Sequence, residues 1–249
     1  MPLSAYAPTN EQQLTIGKAK AKSVRDCMHR FSLDWKVSYL GAPPDPPYFA
    51  ATRIGELNEK TARSYGYRPA PYPSPQDTQP HRVDNLPGAV QDVLMGKVSR
   101  FHGDPVPSGG CRQEAERSVV PGTSAVDLSP LWEKAYRAVE SDSRLHHAEK
   151  EWNACMTGKG HKEVSPETAQ AFWLEHDQGS GKVSSAEIAT AVSDARCRKE
   201  TGYTRLRAAL ERHYENQLIS ENRRQLAAIK LFNALELKNA TRILKTGGE

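Results

Sequence analysis

At 249 residues the chain can hold one large domain or two modest ones and can bury a core without depending on crosslinks to fold. Hydrophobic residues make up 37% and charged residues 26%. That balance predicts a small core with long exposed segments. No apolar run approaches the ~18 to 20 residues that span a bilayer, which excludes a transmembrane helix. The net charge of +4 is unevenly placed: residues 181–249 carry 13 Lys+Arg against 8 Asp+Glu, so the basic excess belongs to the C-terminal region.

Residues 10–31 are predicted helical, with Thr9 or Asn10 as the cap and Leu14, Ala21, Val24, Met28 and Phe31 near one face. Pro43, Pro44, Pro46 and Pro47 cannot continue a helix and predict an extended connection. A short helix over 56–64 should end at the Tyr65-Gly66-Tyr67 turn. Six prolines between residues 68 and 87 then read as polyproline-like chain. Val90, Val93, Leu94 and Val98 predict a short helix over 88–99, and Gly109-Gly110 introduces a polar helix from Cys111 to Val119.

After Pro121-Gly122, Ser129-Pro130 opens a clearer helix through Leu131, Ala135, Ala138, Val139, Leu145, Ala148, Trp152 and Cys155, to about residue 156. A short helix follows from Ser165-Pro166. Ser184 with Glu187 forms a capping-box pair ahead of Ile188, Ala191, Val192, Ala195 and Cys197. The stripe continues through Tyr203, Leu206, Leu210, Tyr214 and Leu218, loses register at Glu221–Arg224, and resumes with Leu226, Ile229, Phe232 and Leu235. One long bent helix or two helices in line would fit it, and the stutter argues against a regular coiled coil. No hairpin signal is evident. The expected fold is mainly α: an irregular helical bundle with a long C-terminal helix and Pro-rich loops, divided into units 1–125 and 126–249.

The four cysteines fall in two similar arrangements. Cys27-Met28 and Cys155-Met156 each end a predicted helix, and Cys111 and Cys197 follow on further helices. An even count at wide spacing without Cys-x-x-Cys fits two structural disulfides and an oxidising compartment. Three connectivities are possible. Pairing each cysteine with the next along the chain, Cys27 with Cys111 and Cys155 with Cys197, gives two similar units and is preferred. Loop-closure entropy would then contribute about 4 to 5 kcal/mol per bridge. Four reduced thiols in a cytosolic protein are the alternative. Zinc is not expected, because no close ligand pair links these cysteines with His29, His146, His147 or His161. The N-terminus lacks the charged-then-apolar pattern of a signal peptide, so any export leader is expected to have been removed.

Residues 176–187, HDQGSGKVSSAE, match a calcium-binding loop only at Gly181, Val183 and Glu187. His176, Gln178 and Ser180 stand where charged oxygen ligands are needed, so a glycine-rich turn before a capped helix is expected. His146-His147 beside Glu149 and Glu151 point in different directions on a helix and read as solvated surface. No HExxH, GxSxG or phosphate-binding loop occurs, and neither catalytic residues nor a cofactor are assigned. Arg196, Arg198, Lys199, Arg205, Arg207, Arg212, Arg223 and Arg224 raise an anionic surface as partner, while interspersed Glu200, Glu211, Glu215 and Glu221 argue against specific nucleic-acid reading. Tyr39, Tyr48, Phe49, Tyr65, Tyr67 and Tyr72 form an aromatic strip that pins a loop or recognises a partner.

The phrases Arg25-Asp26-Cys27-Met28-x-x-Phe31, Gly109-Gly110-Cys111-Arg112-x-Glu114-Ala115, Trp152-x-x-Cys155-Met156-x-x-x-Gly160 and Glu187-Ile188-Ala189-x-Ala191-x-x-Asp194-x-x-Cys197 resemble secreted proteins and lipoproteins of actinobacteria, filamentous ones in particular. The likeness runs from about Tyr6 to Leu235. It implies export and disulfides and supplies no catalytic residues. The expectation is a non-catalytic protein of the cell exterior or envelope that binds a protein, peptide or cell-wall polymer. Its contact face would lie on the long C-terminal helix, or in the groove between that helix and the one ending at Cys155, with Tyr203, Arg205, Arg212 and Tyr214 as binding residues. An enzyme or accessory factor of specialised metabolism, with a pocket between the helical units, is the alternative.

Overall fold

The computed structural model describes residues 1–37, 40, 57–68, 87–122, 127–162, 165–175 and 183–246. The proline-dense stretch at Pro43–Pro47, the chain from Pro69 to Leu86, the rings of Tyr39, Tyr48, Phe49 and Tyr72, and the glycine loop His176–Lys182 lie outside the described residues.

The fold is mainly α. After a 3-10 turn at Pro2–Tyr6 come α1 (Asn10–Arg30), α2 (Glu59–Tyr65), α3 (Gly88–Met95), strands β1 (Arg100–Phe101) and β2 (Asp104–Pro105), and α4 (Gly110–Val119). The helices α5 (Ser129–Glu140), α6 (Ser143–Gly158), α7 (Pro166–Glu175), α8 (Ser185–Glu200), α9 (Tyr203–Glu221) and α10 (Arg223–Lys245) follow. No described helix is long and apolar enough to cross a membrane. Contacts divide the chain into two compact units. The first comprises Ser4–Pro46, Ser74–Leu128 and Asn222–Glu249, and the second Met1–Leu3, Pro47–Pro73 and Ser129–Glu221. One border, Leu128/Ser129, lies close to the division expected at 125–126. Beyond that border, α10 groups with the first unit and α2 with the second.

In the first unit, Thr9 and Gln12 form a reciprocal capping box that starts α1: Gln12 N–H donates to Thr9 Oγ1 (3.2 Å) and Thr9 N–H to Gln12 Oε1 (2.9 Å). One stretch of α1 buries Val24, Cys27 and Met28 with Phe31 and Trp35 against Val93 and Leu94 of α3 and Cys111 and Ala115 of α4. An earlier stretch buries Ile16 and Ala19 against Val119 and Ala240 of α10. Each large apolar side chain so buried contributes about 1.5–3 kcal/mol. The turns α3–β1 and β2–α4 meet at two glycines. A Cβ on Gly110 would stand 2.3 Å from the Leu94 carbonyl, and one on Gly96 2.3 Å from the Gly110 nitrogen. Both have positive φ (68° at Gly96, 72° at Gly110), so only glycine allows this approach. The helix expected over 88–99 accordingly stops at Met95. The unexpected hairpin pairs Arg100 with Pro105 and Phe101 with Asp104 across His102-Gly103, both at positive φ.

In the second unit, Trp152 and Met156 of α6, Ala169 of α7 and Ala191, Ala195 and Cys197 of α8 form one core with Ala62 and Tyr67. Val139, Leu145, Ala148, Tyr203 and Leu210 form another. The single helix expected over 129–156 is two. Asp142 breaks it by capping α6, its Oδ1 accepting from Arg144 N–H at 2.9 Å. The long C-terminal segment is three helices rather than one or two, interrupted at Thr201-Gly202, where Gly202 has φ 70°, and at Asn222. Ser184 Oγ does accept from Glu187 N–H (3.0 Å). The Glu187 carboxylate, however, turns away to accept from Tyr67 N–H (3.1 Å), tying the turn after α2 to α8.

Both disulfides are present in the preferred pairing. Cys27–Cys111 joins α1 to α4 with a Cα separation of 5.6 Å. Cys155–Cys197 joins α6 to α8 at 5.7 Å. Each unit therefore has one bridge of its own.

Candidate functional site

The densest charge in the second unit surrounds Arg207 on α9, whose side chain is 1% exposed. Its Nη2 donates to Glu140 Oε1 of α5 at 2.6 Å and its Nη1 to Glu167 Oε1 of α7 at 2.9 Å, while Nε lies 3.3 Å from Glu211 Oε1. Nη1 also donates to the Tyr203 hydroxyl at 3.0 Å. Glu149 of α6 stands beside this group. Burial first, and then the Glu167 and Glu140 charges, push its carboxyl above the ordinary range. Carboxylate oxygens of Glu140, Glu149 and Glu167 lie within 4.8 Å of one another, a spacing that could suit a cation. Arg207 already holds the Glu140 and Glu167 oxygens, so its guanidinium supplies the compensating charge and the cluster braces α5, α7 and α9. A second buried pair, Arg198–Asp194, is 0% exposed on both sides, and Asp194 accepts from Trp152 Nε1 at 2.7 Å.

These networks decide the roles of the expected contact residues. Tyr203 is 0% exposed and its hydroxyl donates to Glu167 Oε1 (3.3 Å), so it cannot form part of a contact face. Tyr214 is half-buried. Its hydroxyl donates to Asp142 Oδ2 at 2.9 Å, and that bond raises the phenol's pKa. Asp142 is held well below the usual carboxylate range, chiefly by its hydrogen bonds from Arg144. Arg205 and Arg212 are exposed on α9. Of the basic residues on α8 and α9, Arg198 and Arg207 face inward and Arg196 pairs with Glu59 (3.0 Å).

Each unit carries a groove on its surface. The second unit's groove, about 800 Å³, runs between α2 and the α8–α9 junction and includes Arg205. Its charges are mixed: Glu59 and Glu200 face Lys60, Lys199 and Arg205. The first unit's groove, about 900 Å³, lies between the Tyr6 turn and the part of α10 from Lys230 onward. Ala5, Ala7, Ala234 and Leu237 supply apolar surface, Asn233 and Thr241 supply polar groups, and Lys230, Lys238, Arg242 and Lys245 supply four cations. No acid lines it. Lys230 lies over the Tyr6 ring at 4.6 Å, and Asn233 fixes that turn by donating to the Tyr6 carbonyl at 2.8 Å. Lys238, Arg242 and Lys245 make no ion pair among the described residues. Among the described residues, neither groove is lined by a histidine.

Sequence reasoning missed this second set of cations because it followed the arginine-rich stretch before residue 225. A signal was present: Lys238, Arg242 and Lys245 recur at helical spacing, and Glu236 is the single acid of α10. Glu236 is turned toward Lys20, at 3.5 Å. Fold and site together define a class, a disulfide-braced helical protein with a cationic groove. No protein family, curated protein or solved structure matches the chain.

Proposed function

We propose that this is a non-catalytic binding protein of the bacterial cell exterior or envelope, and that the groove beside α10 takes an extended anionic ligand. An acidic peptide segment or a carboxylate- or phosphate-bearing wall polymer has the required chemistry. The reading rests on one observation: four cations converge on a partly apolar groove with no carboxylate among the described residues that line it. Such a site attracts anions over several ångströms and binds more weakly as salt screens it. The two disulfides support an oxidising compartment, as does the likeness to exported actinobacterial proteins. The enzyme alternative asks for a histidine and a carboxylate converging in one pocket.

Titration of the intact oxidised protein with polyglutamate and with polyphosphate, at low and high salt, tests the proposal. Saturable binding that weakens with salt and is lost in Lys238→Glu/Arg242→Glu is expected. Binding that the double variant leaves unchanged, or no binding of either polymer at low salt, overturns it.

A further inference from the structure

The outward face of α10 carries a second feature beside the groove, with which it shares Ala234, Lys238, Arg242 and Lys245. At 3.6 residues per turn, Ala227, Ala228, Leu231, Ala234 and Leu235 share the side opposite buried Leu226, Ile229 and Ala240. All five are exposed, Leu231 at 62%. Arg224 precedes this stripe on the same face, and Lys238, Arg242 and Lys245 follow it. The half-buried Glu236 is the helix's only acid and belongs to Lys20. An apolar patch framed at both ends by cations, with no acid among them, is the arrangement of a helix that lies on a negatively charged bilayer. The leucines enter the headgroup boundary and the lysines and arginines meet the phosphates.

Size favours a lipid surface over a protein partner. The stripe spans about 12 Å of helix and only five side chains, three of them alanines. A stable protein interface covers roughly 800 Å² per partner. A bilayer needs no such area, because each cation near an anionic leaflet strengthens binding roughly fivefold. We infer that α10 docks the protein flat on an anionic membrane surface through Leu231 and Leu235, with Arg224, Lys238, Arg242 and Lys245 on the lipid phosphates. The two proposals share Lys238, Arg242 and Lys245, and Leu231 and Leu235, neither of which lines the groove, tell them apart.

Co-sedimentation of the intact oxidised protein with phosphatidylcholine vesicles, with and without phosphatidylglycerol, provides the test. Binding to the anionic vesicles alone is expected, with a loss of roughly tenfold or more in Leu231→Glu. Far-UV circular dichroism and the urea unfolding midpoint of Leu231→Glu should match wild type, which reports that the variant is folded. Equal binding to neutral and anionic vesicles, no binding to anionic vesicles, or anionic-vesicle binding that Leu231→Glu leaves intact overturns the inference. So does concentration-dependent self-association through Leu231 in place of vesicle binding.

Discussion

Helices α9 and α10 are both rich in basic residues, yet they use them in opposite ways. Arg207 of α9 is buried and shared among Glu140, Glu167 and Glu211, and Arg198 at the end of α8 is closed onto Asp194. On α10, Lys238, Arg242 and Lys245 are exposed beside a groove that no acid lines among the described residues. A cation sealed against carboxylates holds helices together and has no charge left for a ligand. An exposed cation without a partner contributes little to stability and keeps its field for binding. The contrast separates the second unit's bracing arginines from the first unit's exposed cations, on which the proposed recognition rests, and a count of basic residues cannot make that separation.

Several substitutions put this contrast under strain. The largest effect is expected from Arg207→Met, which strands three carboxylates. Removing one partner of a buried pair costs about 3–5 kcal/mol, measurable by urea unfolding. Next come the bridges, typically about 2–4 kcal/mol each. Cys27→Ser/Cys111→Ser should cost slightly more than Cys155→Ser/Cys197→Ser, because the residues joined are 84 apart rather than 42. A reversed order would mean that strain or residual structure outweighs loop length.

The pH response should be smaller and two-sided. Burial raises the folded-state pKa of Glu149, Glu211, Glu215 and Glu236 above the ordinary 4.5. Their contribution is therefore complete below pH 4.5 and is lost as pH climbs through the raised values. Asp142 works the other way: its depressed pKa gives stability that is present above 3.8 and lost as pH falls toward the folded value. Unfolding free energy followed across pH should peak in mildly acidic solution, and Glu149→Gln should flatten the limb on the alkaline side. The smallest stability effect belongs to Lys238→Gln/Arg242→Gln, within about 0.5 kcal/mol of wild type, although polyanion binding should fall.

Much of the fold was legible because its signals are local. The cysteine pairing followed from two helix ends and the next cysteine along. The loss of register at Glu221–Arg224 marked the break that Asn222 makes between α9 and α10. Asp142 was a readable cap, but apolar spacing from Leu131 to Leu145 runs across it and concealed the break. The hairpin at Arg100–Pro105 is too short for strand periodicity to register. Glu187 has the local position of a capping residue, and its actual acceptor role toward Tyr67, 120 residues away, appears only once the chain is folded. Tyr203 and Arg205 show the same limit for the site. Both lie near the start of one helix, and only tertiary packing buries the first and exposes the second.

The division between bracing and binding charges meets its most direct test in one titration. Polyglutamate affinity is measured for wild type, for Lys238→Glu/Arg242→Glu on α10, and for Arg205→Glu/Arg212→Glu on α9. Loss in the α10 variant with near-normal binding in the α9 variant is the expected result. Loss in the α9 variant with retention in the α10 variant would contradict the assignment of recognition to α10.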